Sequence, residues 1–470
     1  MKKFIDKLPK EFLSSLKKQL NSDEYEKYLI AMEKPAVRGI RVNTGKIETN
    51  EFCKLFGENL TKVCYSSDGF ILSSEEKLGN SFLHLSGAFY LQEPSSMMAV
   101  CASGIANENR PLKVLDLCAS PGGKTGQIAS RVSEDSIVFS NEIVRSRAEV
   151  LYSNVERLGL KNVIILNEEP KSLEVFENYF DYVFVDAPCS GEGMFRKNPE
   201  TISEWNTENE QMCADRQKEI LDIATKLVAG GGKLVYSTCT FSEKEDEEIV
   251  EHIVSAGNYE LLDVPSEIKS QTIASHAKVK NPDFARKFLP SSGEGEGQFV
   301  AVLRRTDETE KDYLHVKKHY KKINEIGRAN RLILDKFIEE NMNFKLVRRP
   351  FEVGSNIFLA PVAFDGKLQT VLDEIKIISL GVLLGSVQKD RFEPNHAMFM
   401  AFDKDFKTRI ELSDEDAKKY LHGEEIVTSE NYGKGYGVVT KNGLALGGVK
   451  IVQNRLKNLY PKGIRIWITL

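Results

Sequence analysis

Between residues 112 and 305 short apolar runs alternate with amphipathic stretches, and no other feature limits the fold of this chain so far. The runs VLDLCAS, SIVFSNEI, NVIILNEE, YVFVDAPC and KLVYSTCT are separated by TGQIASRV, RAEVLYSNVERLG and a long helical pattern near 208 to 229. A short apolar run followed by a helix-period segment marks a strand that crosses over to a parallel neighbour. Repeated along the segment, the pattern predicts a doubly wound, Rossmann-like α/β core with helices on both faces of a parallel sheet. Sheets of this kind bind ligands beyond the carboxyl ends of their strands. The polar residues that punctuate the runs all fall at those ends.

At 470 residues the chain is long enough for several cores. Residues 1–90 form an N-terminal α+β extension, beginning with two amphipathic helices up to about residue 35, the second capped by Ser22, and turning to strands at RGIRVNT (38 to 44). The core occupies 91–305, and the charged stretch at 306–325 is a linker or exposed helix. Residues 326–385 form a small α+β piece, and 386–470, with the glycine turns of NYGKGYGVVTKNGLALGG, a compact β-rich module.

Composition narrows the class further. A hydrophobic content of 41% with 28% charged residues describes a globular chain, and no run of about 18 apolar residues suggests a membrane span. The start, MKKFIDKLPKEF, lacks the apolar centre of a secretory signal, so a cytoplasmic location and no membrane partner are expected. Seven cysteines, an odd number without a CxxC pair, argue against a disulfide scaffold or a zinc site. His315 and His319 stand four apart, a spacing a metal can use, but HVKKH fits a solvated basic helix and no metal is expected. The net charge of -5 divides unevenly: residues 311–470 carry 27 Lys and Arg against 20 Asp and Glu, and residues 1–310 carry 37 against 49. Attraction to phosphate therefore belongs to the C-terminal part. Nothing in the sequence calls for more than a monomer.

The first core strand ends at Asp116 and runs into Cys118, Ala119, Ser120, Pro121, Gly122, Gly123 and Lys124, a small-residue turn that lets a ligand approach the backbone. Two ligands compete for it. Gly123, Lys124 and Thr125 match a phosphate loop, which would need glycine where Cys118 stands, and Asp186 could pass for the aspartate of a P-loop NTPase. Against this, the second strand ends in Glu142 and the third in Glu168 and Glu169. Acidic strand tips suit ribose hydroxyls and an adenine amine, and so favour an adenosyl ligand.

Cys189 follows the fourth strand, three residues after Asp186, and Cys239 follows the fifth. Both emerge at the edge that carries the glycine turn. An isolated cysteine is ordinarily a small buried apolar residue, and Cys53, Cys64, Cys101 and Cys213 are expected to be that. A thiol pair at a ligand edge suits another task. Carbon 5 of cytosine is a poor nucleophile until a thiolate adds to carbon 6. Attack by one cysteine makes carbon 5 accept a methyl from S-adenosylmethionine, and Asp186 stands where it can donate to, or hydrogen-bond with, ring N3.

The motifs RGIRVNT, YLQEPSSM, DLCASPGGKT, NEI, DAPCSGEGMFRK, YSTCTFSEKEDEEIV and GEGQFVAVL together resemble the RNA cytosine-5 methyltransferases of the Sun family, in particular its bacterial RsmF-like branch, over nearly the whole chain. The resemblance implies an S-adenosylmethionine methyltransferase core acting on small-subunit (16S) ribosomal RNA, with Cys239 as nucleophile and Cys189 assisting release. It implies that Cys118 to Lys124, Glu142, Glu169 and Asp186 line the cofactor site, although the family more often carries aspartate at the position of Glu169 and histidine at that of Ser291. It also implies an RNA-binding role for the N-terminal extension.

KDRFEPNHAMFMAF, LGGVK and NLYPKGIRI are similar to the family's PUA-like RNA-binding domain, which implies phosphate contacts from Lys389, Arg391, Lys450, Arg455, Lys457, Lys462 and Arg465. Arg196 and Lys197, on a loop over the site, are expected to steer RNA. A transfer RNA substrate, a P-loop NTPase and a non-catalytic RNA-binding assembly factor are the alternatives.

Overall fold

The computed structural model describes residues 3–57, 60–73, 77–293, 295–308 and 322–466. His315, His319 and most of the expected linker lie outside the described residues.

The alternating runs form the parallel strands β1 (Lys113–Asp116), β2 (Ile137–Asn141), β3 (Val163–Leu166), β4 (Phe180–Asp186) and β5 (Val228–Thr238). To these the sheet adds β6 (Tyr259–Leu262), β7 (Ile273–Ala274), β8 (Arg286–Phe288), β9 (Gln298–Arg305) and β10 (Ile377–Leu380). The spatial order is β7-β8-β9-β5-β4-β1-β2-β3-β10, with β6 against the far part of β9. β1 to β5 are mutually parallel, and the added strands run antiparallel. Chain order reverses between β1 and β4, so a crevice opens there at the carboxyl ends.

Successive side chains of a strand point to opposite faces, and the core divides accordingly. Leu115, Phe139, Ile164, Val183 and Leu234 pack with Ile220, Leu221 and Ala224 of the helix Thr207–Leu227. Val114, Val138, Ile165, Phe184 and Val235 face Ile128 of the helix Gly123–Ala129 and Leu151 and Val155 of the helix Arg145–Leu158. The near absence of polar residues within the runs is the signature of a sheet covered on both faces.

The helices Lys10–Gln19 and Ser22–Met32 pack Phe12 and Tyr28 against Phe195, Trp205 and Phe241 of the core. The cap of the second helix is Asn21, not Ser22: its side chain accepts from the Glu24 amide and the Glu24 carboxylate returns the bond. A four-stranded antiparallel sheet follows, in the order Leu60–Lys62, Gly69–Leu72, Arg38–Val42, Phe89–Leu91.

Beyond residue 322 a five-stranded antiparallel sheet (Ile323–Glu325, Phe351–Val353, Asn356–Leu359, Val382–Gln388, Arg391–Pro394) packs on the helix Arg328–Asn341. This region is not self-contained, because β10 leaves it to pair with β3 of the core sheet. The last sheet runs Arg409–Glu411, Gly435–Lys441, Leu444–Val452, Arg455–Asn458, Ile426–Val427, with the helix Asp414–His422 in its core. No helix among the described residues is long and apolar enough to cross a membrane.

Candidate active site

β4 and β5 are parallel neighbours with Asp186 directly opposite Ser237. The chain leaves both strands at the same level, and the two turns bring the Sγ atoms of Cys189 and Cys239 to 3.2 Å. Neither sulfur is in a disulfide. The hydrogen bond shared with Cys239, and then burial, push the Cys189 thiol well above its ordinary value. The turns are knitted by Ser190 Oγ and Thr240 Oγ1 at 2.8 Å, and by the Gly193 amide, which donates to the Cys239 carbonyl at 2.9 Å. Gly193 has to be glycine here: a Cβ would lie 2.9 Å from that carbonyl oxygen and 3.1 Å from the Cα of Gly297.

Lys124, on the first turn of the helix after β1, reaches over the sheet edge to Asp186, with Nζ to Oδ2 at 2.7 Å. Oδ1 of Asp186 accepts from Ser237 Oγ at 2.8 Å and from the Gln298 amide at 3.3 Å. A carboxylate with three donors is locked in orientation and acts as an acceptor, while Lys124 is the donor beside it. The Lys124 side chain is 10% exposed and Asp186 33%, so the pair faces the crevice without being open to bulk water.

Beneath them Asp116 is fully buried. Its Oδ2 accepts from Thr125 Oγ1 at 2.7 Å, and its Oδ1 has no hydrogen-bond partner among the described residues. Burial pushes this carboxyl up to about 7. Burial, followed by the charges of Asp116, Asp186 and Glu142, also pushes the Cys118 thiol far up, so this sulfur stays protonated.

The turn itself fits an adenosyl ligand. Gly122 has φ +110°, which a side chain would strain. The Ser120 hydroxyl donates to the Arg147 carbonyl and Asn154 to the Pro121 carbonyl, both at 2.9 Å, which ties the loop back to the helix Arg145–Leu158 and leaves its backbone toward the crevice. Glu142, buried just past the end of β2, accepts from the Val144 amide through one oxygen. Among the described residues the other oxygen meets only the exposed Arg147, at 3.4 Å, and so remains available to hydroxyls. Glu169 lies on the surface at the start of the short helix Pro170–Phe176. Its neighbour Glu168 is buried and accepts from the Lys376 amide at 2.8 Å, tying down the approach to β10.

Other motif residues make contacts that join distant parts of the sequence. Arg41, 1% exposed, donates to Gln92 Oε1 at 2.9 Å, and Gln92 donates to Gln127 at 3.2 Å, so RGIRVNT and YLQEPSSM brace the helix that carries Lys124. Arg196 is not available to RNA. Its side chain is 4% exposed, paired with Glu296 at 2.8 Å and donating to the Ala31 carbonyl at 2.7 Å, which leaves Lys197 as the exposed cation of that loop.

Lys389, Arg391, Arg455, Lys457 and Lys462 are exposed, and Lys450 and Arg465 half-buried. Lys450 and Lys457 are cross-strand partners on one face of the last sheet, whereas Arg455 pairs with Glu425. Among the other cysteines Cys64 is exposed, contrary to expectation, and Cys53, Cys101 and Cys213 are partly buried. Among the described residues no group of three or more His, Cys, Asp or Glu could hold a metal.

Four family models match in succession: the N-terminal domain of 16S rRNA methyltransferase RsmF at residues 8–94, 16S rRNA methyltransferase RsmB/F at 105–304, the RsmF rRNA methyltransferase first C-terminal domain at 336–402, and the methyltransferase RsmF PUA domain at 407–466. The chain is 31% identical to the ribosomal RNA small subunit methyltransferase F of Enterobacter sp. (strain 638), over 97% of this chain and 95% of that protein. It is 30% identical to the protein of that name from Vibrio vulnificus (strain YJ016), over 97% of each. Among solved structures, a methyltransferase homologue protein from Pyrococcus horikoshii matches 64% of this chain and 98% of its own, with 26% identity and a TM-score of 0.56.

Proposed function

Because the chain belongs to the S-adenosylmethionine-dependent ribosomal RNA small subunit methyltransferase F family, we propose that it methylates carbon 5 of a cytosine in 16S ribosomal RNA through a covalent bond from Cys239 to carbon 6. The observation that carries this reading is the pair of thiols 3.2 Å apart beyond β4 and β5. Methylation of an exocyclic amine needs neither sulfur.

Cys239 adds to carbon 6 as a thiolate, and the electron pair of the 5,6 double bond moves toward carbon 5 and N3. Lys124 donates to N3, the contact first expected of Asp186, while Asp186, held by its other donors, accepts from the exocyclic amine. This donor beside an acceptor matches the edge of cytosine and opposes that of uracil, whose N3 is a donor. Bound beside the base, S-adenosylmethionine would supply the methyl group to which carbon 5 bonds with that electron pair, the former bond leaving both its electrons on sulfur. Cys118 to Lys124 and Glu142 would hold it, the turn offering its backbone and Glu142 its second oxygen as an acceptor for hydroxyls.

Once Cys239 is a thioether, the hydrogen bond that most raises the Cys189 thiol is gone, and Cys189 gives its proton to solvent. The carbon 5 proton then passes to Cys189, the 5,6 double bond re-forms, and the bond from carbon 6 to Cys239 breaks with sulfur keeping the pair. Cys239 leaves as a thiolate, the form in which it attacked, Cys189 again carries a proton, and the net proton released to solvent balances the one that left carbon 5. The base must leave its stack to reach them, so loops or partly assembled RNA are the substrate. Lys197, Lys389, Arg391, Lys450, Lys457 and Lys462 meet phosphate.

Cys239→Ala is expected to abolish methyl transfer to 16S RNA, and Cys189→Ala to leave RNA attached to the enzyme as a slow band on a denaturing gel. Undiminished transfer by Cys239→Ala overturns the mechanism. Loss of activity in Cys189→Ala without any adduct overturns its release role.

A further inference from the structure

We propose that Glu245 is a positioning residue for release of the methylated base, holding the Cys189 thiol, and not Cys239, in register with the reacting ring. The inference rests on the cytosine-5 reading above.

Glu245 lies past the end of β5 and is fully buried. Its Oε2 accepts from the Ser190 amide at 3.0 Å and from the Gln217 side-chain amide at 2.9 Å. The same Gln217 amide donates to the Pro188 carbonyl at 2.9 Å, and Gln217 Oε1 accepts from the Tyr236 hydroxyl at 3.1 Å. The peptide groups before and after Cys189 are therefore both fastened to one carboxylate, directly at Ser190 and through Gln217 at Pro188.

Cys239 has different supports. It continues directly from β5, and Thr238 Oγ1 donates to Asp246 at 2.6 Å. Loss of the Glu245 carboxylate unfastens the turn that carries Cys189 and leaves the nucleophile on its strand.

The second oxygen of Glu245, Oε1, is buried with no hydrogen-bond partner among the described residues, and burial raises the carboxyl from its ordinary value. An acid kept in the interior with one oxygen unsatisfied costs stability, and a group retained at such a cost points to a role in the site. That role is geometric. Abstraction of the carbon 5 proton needs the Cys189 sulfur at a defined point, and a misplacement of about 1 Å in such a step costs on the order of 10²-fold.

The test is rapid-quench methylation of 16S RNA with a denaturing gel for the covalent adduct. Glu245→Ala is expected to transfer about one methyl per enzyme at the wild-type rate and then to release product on the order of 10²-fold more slowly, with accumulated adduct. Glu245→Gln keeps a carbonyl oxygen able to accept both bonds, and is expected to restore release.

Free turnover of Glu245→Ala without adduct overturns the inference, as does adduct in Glu245→Gln equal to that in Glu245→Ala. If Glu245→Ala does not fold, Gln217→Ala cuts the Pro188 side of the same clamp and must itself accumulate adduct; its absence overturns the inference equally. Nucleoside mass spectrometry of the wild-type product separates the two levels. No 5-methylcytosine removes the parent reading and this inference with it, whereas 5-methylcytosine without variant adduct removes this inference alone.

Discussion

Asp116 and Arg196 show how little a side chain's type says about its surroundings until its partners are known. Asp116 is pushed up to about 7 by burial, from an ordinary 3.8. A carboxyl that stays protonated in the folded protein while the unfolded chain ionises it contributes fully below the unfolded value. That contribution is lost as pH rises from about 4 to about 7. Asp116→Asn, which cannot ionise, is therefore expected to gain stability relative to the wild type across that window and to hold a constant difference above it; urea midpoints measured at each pH check this. The acid's position at a strand end was legible from VLDLCAS, but its isolation was not, because Thr125, which also contacts Ser140, meets it only after the turn closes. Arg196 was misread for a related reason. In GEGMFRK it resembles any solvated loop cation, and its partner Glu296 is 100 residues further along the chain. Cys189 and Cys239 were legible as a pair because parallel strands deliver their ends to one edge, a property of topology and not of either cysteine.

At the scale of elements, the two turns over the thiols are set by close approach of backbones. Gly193→Ala puts a methyl group 2.9 Å from the Cys239 carbonyl and 3.1 Å from Gly297 Cα, with only backbone atoms to give way. The expected outcome is a folded protein that has lost about 1–3 kcal/mol of stability, the usual cost of overpacking, and whose methyl transfer falls more steeply than its stability. Thermal melts and initial rates on the same preparation separate the two effects. SGEGMF and GEGQF were visible in the sequence only as parts of family motifs, since a glycine that serves a φ value and one that serves a contact look alike in one dimension. The cap of the second helix shows the smaller error that propensity permits: Asn21 and Ser22 are both good caps, and the Asn21 to Glu24 reciprocal pair decides between them.

For the whole molecule, the doubly wound core was legible because its apolar runs are buried on both faces and carry the parallel pattern openly. The joining of the C-terminal region to it was not. IISL at 377–380 is a short strand like many others, and its pairing with β3 is specified by residues more than 200 positions away. Leu380 is fully buried opposite Ile164. Leu380→Asp is expected to detach β10, expose the edge of β3 and produce oligomers through that edge, detectable by light scattering; a monomer with wild-type stability would show that β10 is dispensable. The same pairing fixes an order in time. At roughly 5–20 residues per second of synthesis, the central sheet waits about 10–40 s after β3 emerges before the strand that closes it is made. A nascent chain therefore carries its thiols and glycine turn on an unfinished sheet until the region leading to the PUA domain has been translated.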